Sequence, residues 1–133
     1  MKHGRFHVET EQRAQVVLVR ERVNQILGEL EAGDGLCHLW CPHTTAALTV
    51  NEGWDPDVTV DLLARLETVV PWAASYRHAE GNSAADIKAA FVGPAVTVPV
   101  AAGRLALGRW QDVYFCEFDG PRRRTVEVRF LAG

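Results

Sequence analysis

The spacing of apolar residues changes repeatedly along this chain, and the order of these changes limits the possible folds more than any other feature. A two-residue spacing is typical of strands with one buried face, and a spacing of three to four residues is typical of amphipathic helices. The pattern predicts two strands, a helix, two strands, two helices and then further strands. This order is not a strict strand–helix alternation, so it predicts a layered α+β domain with a largely antiparallel sheet, two long helices and one short helix. The predicted strands cover 6–9, 16–19, 35–41, 46–50, 96–100, 113–118 and 125–130, and the predicted helices lie near 20–32, 55–70 and 83–91.

Capping residues support the three predicted helices. Asp55 can cap the second helix, and Pro56 suits its first position. Gly33 is placed to end the first helix. The third helix is predicted to turn Ile87 and Phe91 towards the same side.

The cysteines and one tryptophan are predicted to belong to the core. In a strand, Cys37 and Cys41 would lie about 13 Å apart, so they could share neither a metal ion nor a disulfide bond. Together with Cys116 they are interpreted as small core residues. The strand at 113–118 has apolar side chains at both alternating positions, which predicts burial of both faces. Trp110 is predicted to be a core residue as well, with stacking on a flat heterocycle as the alternative.

Length and charge restrict the class of protein. A chain of 133 residues suits one domain, here 1–133, and its 47% hydrophobic content suits a compact core. The net charge of -3 provides no general attraction for nucleic acid or an anionic membrane. The longest uncharged stretch, 89–103, is shorter than the roughly 20 residues that a membrane-spanning helix needs. No apolar export signal is recognised near the N-terminus, so a cytoplasmic location is expected.

Two polar clusters are candidates for chemistry. The first is His43-Thr44-Thr45, which follows a strand end and precedes an apolar strand that leads to Glu52. The second is the segment 76–82, which leads into the third helix. Either cluster could line a cleft, and either could instead be a solvated turn.

Five segments resemble those of the YjbQ family, the secondary thiamine-phosphate synthases. They occur in the same order and at the same spacing as in that family, from about residue 5 to 130. The resemblance implies a small α+β protein that forms homotrimers and has a weak thiamine-phosphate synthase activity. The segments are HTTAALTVNE (43–52), HAEGN (78–82), DIKAAFVG (86–93), GRLALGRWQ (103–111) and EFDGPRRR (117–124).

The resemblance also implies a site built on three histidines, of which this chain retains His43 and His78. At the third position the family has a histidine before Ile-Lys, whereas this chain has Asp86. Two histidines and a carboxylate can bind a divalent metal, and the carboxylate would shift the preference from zinc towards manganese, iron or magnesium. Alternatively, Ser83 and Asp86 have the spacing of a capping box, and Asp86 would then only stabilise the helix start.

The reaction implied by the resemblance joins a pyrimidine diphosphate to a thiazole phosphate and releases pyrophosphate. Its phosphorylated substrates require hydroxyl, amide or cationic groups. Two alternatives stay open. A metal-dependent hydrolase or phosphatase could use the same cleft with Glu52 or Glu80 as base, and a non-catalytic protein could bind a small molecule there. The predicted catalytic residues are His43, Glu52 and Glu80; the predicted phosphate-binding residues are Thr44, Thr45, Asn82, Lys88 and Arg122; and the predicted metal ligands are His43, His78 and Asp86.

Overall fold

Two antiparallel sheets and three helices make up the fold, in a computed structural model that describes residues 1–133. The five-stranded sheet has the order β1-β8-β3-β5-β6, and the three-stranded sheet has the order β2-β7-β4. No helix of the structure is both long and apolar enough to cross a membrane. The strands are β1 (Lys2–Glu9), β2 (Gln15–Leu18), β3 (Gly35–Trp40), β4 (Ala46–Glu52), β5 (Ala95–Ala101), β6 (Arg104–Leu105), β7 (Gln111–Glu117) and β8 (Arg123–Ala132), and the helices are α1 (Arg20–Glu29), α2 (Pro56–Val69) and α3 (Ser83–Val92).

The molecule has three layers, and β7 belongs to the middle one. Val113 and Phe115 of β7 face the main core between the two sheets. Tyr114 and Cys116 face the opposite way, into a smaller cluster beneath α2 and α3. The prediction that this strand is buried on both faces is confirmed, as are the α+β fold and the burial of all three cysteines, which are free thiols. Burial raises the pKa of Cys37 and Cys116 to about 12 and that of Cys41 to about 11, which keeps them protonated at neutral pH.

Helix α1 is shorter than predicted. It ends at Glu29 instead of continuing towards Gly33, because Glu31 adopts a left-handed conformation with φ of 54°. The Ala32 N–H then closes the turn on the Leu27 carbonyl at 3.0 Å. The two-residue strand β6 is also absent from the prediction, since a segment this short has no measurable periodicity.

The prediction that Trp110 belongs to the core is wrong. Trp110 is 53% exposed and lies in an edge-to-face pair with Trp54, so it is a surface residue. In α3, the buried residues are Ala84, Ala85, Lys88 and Ala89, and Phe91 is 65% exposed. Short alanine side chains let α3 pack closely on β4, and this packing turns the bulkier Phe91 outwards.

Candidate functional site

The first polar cluster lies where the chain crosses from one sheet to the other. Strand β3 ends at Trp40 in the five-stranded sheet, and β4 begins at Ala46 in the three-stranded sheet. The short connection between them carries His43, Thr44 and Thr45. Thr45 is buried, His43 is half-buried and Thr44 is exposed. The connection therefore presents polar groups at one end of the two-sheet core.

A buried ion pair joins the two sheets beneath this connection. Arg124 of β8 pairs with Glu117 of β7, and both side chains are almost fully buried. The Arg124 Nη2 also donates to Thr45 Oγ1 at 2.8 Å. The Glu117 Oε1 accepts from Thr10 Oγ1 at 2.8 Å and from Arg124 Nε at 2.8 Å. Each charge has several hydrogen-bond partners, which is the condition under which a buried ion pair is tolerated.

These residues are missing from the predicted site, although the sequence contains a signal for them. Arg124 lies on the same face of β8 as Val126 and Val128, which are core residues. Glu117 has the same alternation as Phe115 of β7. A charged residue in step with core residues of its strand must find a partner in the core. Arg124 therefore belongs to the end of the main core.

His43 is held by a backbone hydrogen bond. The pairing of β3 with β8 ends at Trp40 and Glu127, so the N–H of Thr125 lies beyond the last residue of β3. The His43 Nε2 accepts from this N–H at 2.9 Å. A neutral imidazole that accepts at Nε2 carries its proton on Nδ1, so the remaining ring nitrogen is a donor. Burial and the nearby Arg124 guanidinium lower the pKa of His43, which favours this neutral form.

His43, Thr44 and Asp86 line one cavity of about 380 Å³ between the connection and α3. Its other walls are short or apolar residues, namely Ala46, Ala89, Ala90 and Pro94. The cavity is within the size range of small-molecule sites. It therefore combines a neutral imidazole, a hydroxyl and a carboxylate with flat apolar walls.

His78 and Glu80 do not line this cavity. The His78 Nε2 lies 3.8 Å from Glu80 Oε2 on the surface segment before α3, and both side chains are well exposed. Within one copy of the chain, no three His, Cys, Asp or Glu side chains lie close enough to hold a metal ion. The residues of a single copy therefore do not fit the three-ligand site. Convergence of His43, His78 and Asp86 between copies of a homotrimer stays a prediction.

The capping-box interpretation of Asp86 is wrong. The residue that caps α3 is Asn82, and no side chain accepts a hydrogen bond at this helix start. Asp86 still lies in the first turn, where the helix dipole favours an acid. Asp86 also lines the His43 cavity, where its carboxylate can contact a ligand.

Asn82 and Arg122 meet at Asp119 instead of at His43. The Asn82 amide donates to Asp119 Oδ2 at 2.9 Å, and the Arg122 Nη2 donates to the same oxygen at 3.0 Å. The Oδ1 of Asn82 is buried and accepts no hydrogen bond. The arrangement orients both side chains, and neither lines the His43 cavity.

The other two predicted site residues are also paired away from the cavity. The Glu52 Oε2 accepts from the Trp54 N–H at 2.6 Å and from the Asp55 N–H at 3.3 Å, so it holds the turn before α2. Lys88 is buried beside α2, where its Nζ donates to Glu67 Oε1 at 2.7 Å. Of the predicted residues, His43, Thr44 and Asp86 therefore share one cavity, Thr45 lies directly behind it, and the others lie elsewhere.

Comparison with known proteins agrees with this fold over nearly the whole chain. The family model described as "UPF0047 protein YjbQ-like" matches residues 4–133. The UPF0047 protein YugU of Bacillus subtilis is 44% identical over 127 residues, which are 95% of this chain and 96% of that protein. The UPF0047 protein MJ1081 of Methanocaldococcus jannaschii is 36% identical over 127 residues, which are 96% and 92% of the two chains.

Solved structures give the same result. A YjbQ/UPF0047 family protein from Clostridium acetobutylicum has a TM-score of 0.92 and 42% identity, and the match covers 96% of this chain and 98% of that one. The hypothetical protein APE1520 from Aeropyrum pernix has a TM-score of 0.95 and 36% identity, with 100% of both chains covered. The chain belongs to the UPF0047 (YjbQ-like) family.

Proposed function

We propose that the protein is a weak transferase of the thiamine-phosphate synthase type, which joins a pyrimidine diphosphate to a thiazole phosphate and releases pyrophosphate. The observation that carries the proposal is that His43 and Asp86, which come from two separate segments of the family resemblance, line the same cavity. A cavity lined by two donors and a carboxylate can orient a substrate that is anionic at one end and carries an amino group.

The apolar walls suit the heterocycle. Ala46, Ala89 and Ala90 have no side-chain atoms beyond Cβ, so they leave a smooth surface on which a flat ring can pack. The Asp86 carboxylate can accept a hydrogen bond from the exocyclic amino group of an aminopyrimidine. A histidine at this position could ligate a metal. Its ring nitrogen could accept a hydrogen bond from the amino group only when that nitrogen carried no proton.

The diphosphate end is assigned to His43 and Thr44. The His43 ring has its Nε2 engaged by Thr125, so Nδ1–H is its donor, and the Thr44 hydroxyl is a second donor. In the reaction, the thiazole nitrogen forms a bond to the pyrimidine methylene carbon as the bond from that carbon to the diphosphate oxygen breaks. Pyrophosphate leaves with the bonding electron pair, and the His43 donor stabilises the charge that develops on the departing oxygen.

A divalent metal is a separate prediction, and no step above depends on it. No observation favours the hydrolase alternative, because neither of its proposed bases, Glu52 and Glu80, lines the His43 cavity. The alternative of a non-catalytic binding protein is an outcome of the test below.

The test measures thiamine phosphate formed from the two precursors, with Mg²⁺, Mn²⁺ or Zn²⁺ added and with chelator. We expect turnover by the native protein, and a decrease of about tenfold or more for Asp86→Asn, which loses a charge-assisted contact to the substrate, and for His43→Phe, which loses a donor. Asp61→Asn and His3→Phe are the matched controls, since both residues are exposed and far in sequence from the site.

Two results would contradict the proposal. If Asp86→Asn and the native protein had equal turnover, the cavity would have no part in the reaction. Calorimetric binding of the pyrimidine precursor without any turnover would show a binding protein instead of a transferase.

A further inference from the structure

A second cavity lies on the other side of α3 from the His43 cavity. Lys88 is two residues from both Asp86 and Ala90, which places it across the helix from these two residues. It lines a cavity of about 260 Å³ between α2, α3 and the segment before β2. The walls include Leu63, Leu66 and Phe118, and Trp72 and Arg13 lie at the same cavity.

Lys88 is a buried cation with unused hydrogen-bonding capacity. It is 4% exposed, and its only hydrogen bond goes to Glu67 Oε1. An ammonium group has three N–H donors, and a buried charge is costly unless these donors find acceptors. Two donors of Lys88 thus remain for an acceptor inside the cavity that it lines.

Arg13 supplies a second cation whose hydrogen-bonding groups are free. Its guanidinium lies over the Trp72 ring, with Cζ 4.3 Å from the ring centroid, and it donates no hydrogen bond within the protein. The backbone of the same residue is fixed, because the Arg13 carbonyl accepts from the Gly120 N–H at 3.0 Å. Stacking on an aromatic ring leaves the edge of a guanidinium available for bidentate binding of a carboxylate.

Glu67 connects these groups and sets the charge of the cavity. Its two carboxylate oxygens accept from Lys88 Nζ and from the Trp72 backbone N–H, the latter at 2.8 Å. Two cations and one anion leave a net charge of +1, so the site is suited to a monoanion. The remaining walls are apolar and suit an uncharged ring.

We propose that this cavity binds a small aromatic carboxylate, with the carboxylate between Lys88 and Arg13 and the ring against Leu63, Leu66 and Phe118. The donors of Lys88 that Glu67 does not use and the free edge of Arg13 then bind the carboxylate oxygens. A phosphate monoester carries more negative charge than the cavity can neutralise beside Glu67, so it binds more weakly. This site does not depend on the proposed transferase activity.

The experiment titrates the folded protein with benzoate and follows the indole N–H resonance of Trp72 together with the heat of binding. Phenyl phosphate and neutral benzamide are the comparison ligands. We expect benzoate to bind more tightly than either, and Arg13→Gln to weaken its binding about tenfold because a charged bidentate contact is lost. Arg65→Gln is the matched control, since Arg65 is an exposed residue of α2 that does not line the cavity.

A second variant tests the role of charge in the opposite direction. Glu67→Gln removes the competing anion, so benzoate should bind several-fold more tightly than to the native protein. Lys88→Met should abolish benzoate binding. If Lys88→Met does not fold, the benzoate affinities of Arg13→Gln and Glu67→Gln test the proposal. His43→Gln should leave benzoate binding unchanged, which separates this site from the proposed transferase site.

Three results would overturn the proposal. They are equal affinity for benzoate and benzamide, tighter binding of phenyl phosphate than of benzoate, and unchanged affinity in both Arg13→Gln and Glu67→Gln.

Discussion

The two apolar layers of the molecule are built differently. The main core between the sheets contains 17 buried residues, many of them valine, leucine or phenylalanine. The layer between the three-stranded sheet and the helices contains six, three of which are alanine. Helix α2 has no buried residue and contributes only half-buried leucines to this second layer.

This difference accounts for the two cavities beside α3. Large interlocking side chains fill the space between the sheets, so that region holds the strands in position. Small side chains in the second layer keep α3 close to β4 and leave unfilled volume at its sides. The His43 and Lys88 cavities both border α3, and each has charged or polar side chains at its rim. The sandwich is therefore the scaffold, and the helical layer supplies the candidate binding sites.

The largest effect is expected from breaking the ion pair at the end of the main core. Glu117→Gln keeps the shape of the side chain but leaves Arg124 as an uncompensated buried cation. Removing one partner of a buried pair typically destabilises a protein by about 3–5 kcal/mol. Urea unfolding of the variant and the native protein would measure this loss.

The matched control for that experiment is Glu9→Gln. Glu9 pairs with Arg123, the neighbour of Arg124, but both of these side chains are exposed. Exposed pairs contribute about 0–1 kcal/mol, so the control should unfold almost as the native protein does. Similar losses in the two variants would show that the inter-sheet pair is no more important than a surface contact.

The next effect compares the same substitution in the two layers. Leu39→Ala leaves a void in the main core, where Leu39 is fully buried, and should cost about 3 kcal/mol. Leu62→Ala removes a half-buried side chain from the helical layer and should cost about 1 kcal/mol. Equal losses in urea unfolding would mean that α2 is packed as firmly as the sandwich, contrary to the comparison above.

Sequence periodicity predicts much of the fold because burial follows apolar spacing in several elements. The continuous apolar run of β7, the alternation in β8 and the N-terminal cap of α2 are local signals, and the structure agrees with them. Trp110 was misplaced because its exposure depends on a neighbour, Trp54, that is distant in the chain. The end of α1 was misplaced because Glu31 adopts a conformation that glycine usually supplies.

The candidate site could be predicted only in part. Residues of one local motif, such as His43 and Thr44, do lie together, and Asp86, which the family resemblance groups with His43, lines the same cavity. The sequence does not show which of the predicted residues bond to partners outside the cavity, because those partners are distant in the chain. The Lys88 bond to Glu67 and the Asn82 bond to Asp119 are such contacts, and neither partner of these two residues belonged to the predicted site.

The smallest expected effect is a pH dependence at His43, where the scaffold and the helical layer meet. Burial, and then the Arg124 guanidinium, lower the pKa of His43 below its ordinary value of 6.5. In the unfolded chain the ring recovers that ordinary value, so between the two pKa values the unfolded state binds more protons than the folded state. The free energy of unfolding therefore rises with pH through this window. The His43 contribution to the free energy of unfolding is fully present when the pH is above the ordinary pKa. It is lost as the pH falls through the lowered pKa of the folded state. The effect is modest because solvent reaches the half-buried ring.

Urea unfolding from about pH 8 to pH 5 should give a steeper fall of stability for the native protein than for His43→Gln, whereas His3→Gln should follow the native curve. Parallel curves for the native protein and His43→Gln would show that His43 titrates alike in both states, and the neutral Nδ1–H donor assigned to it would lose its electrostatic support.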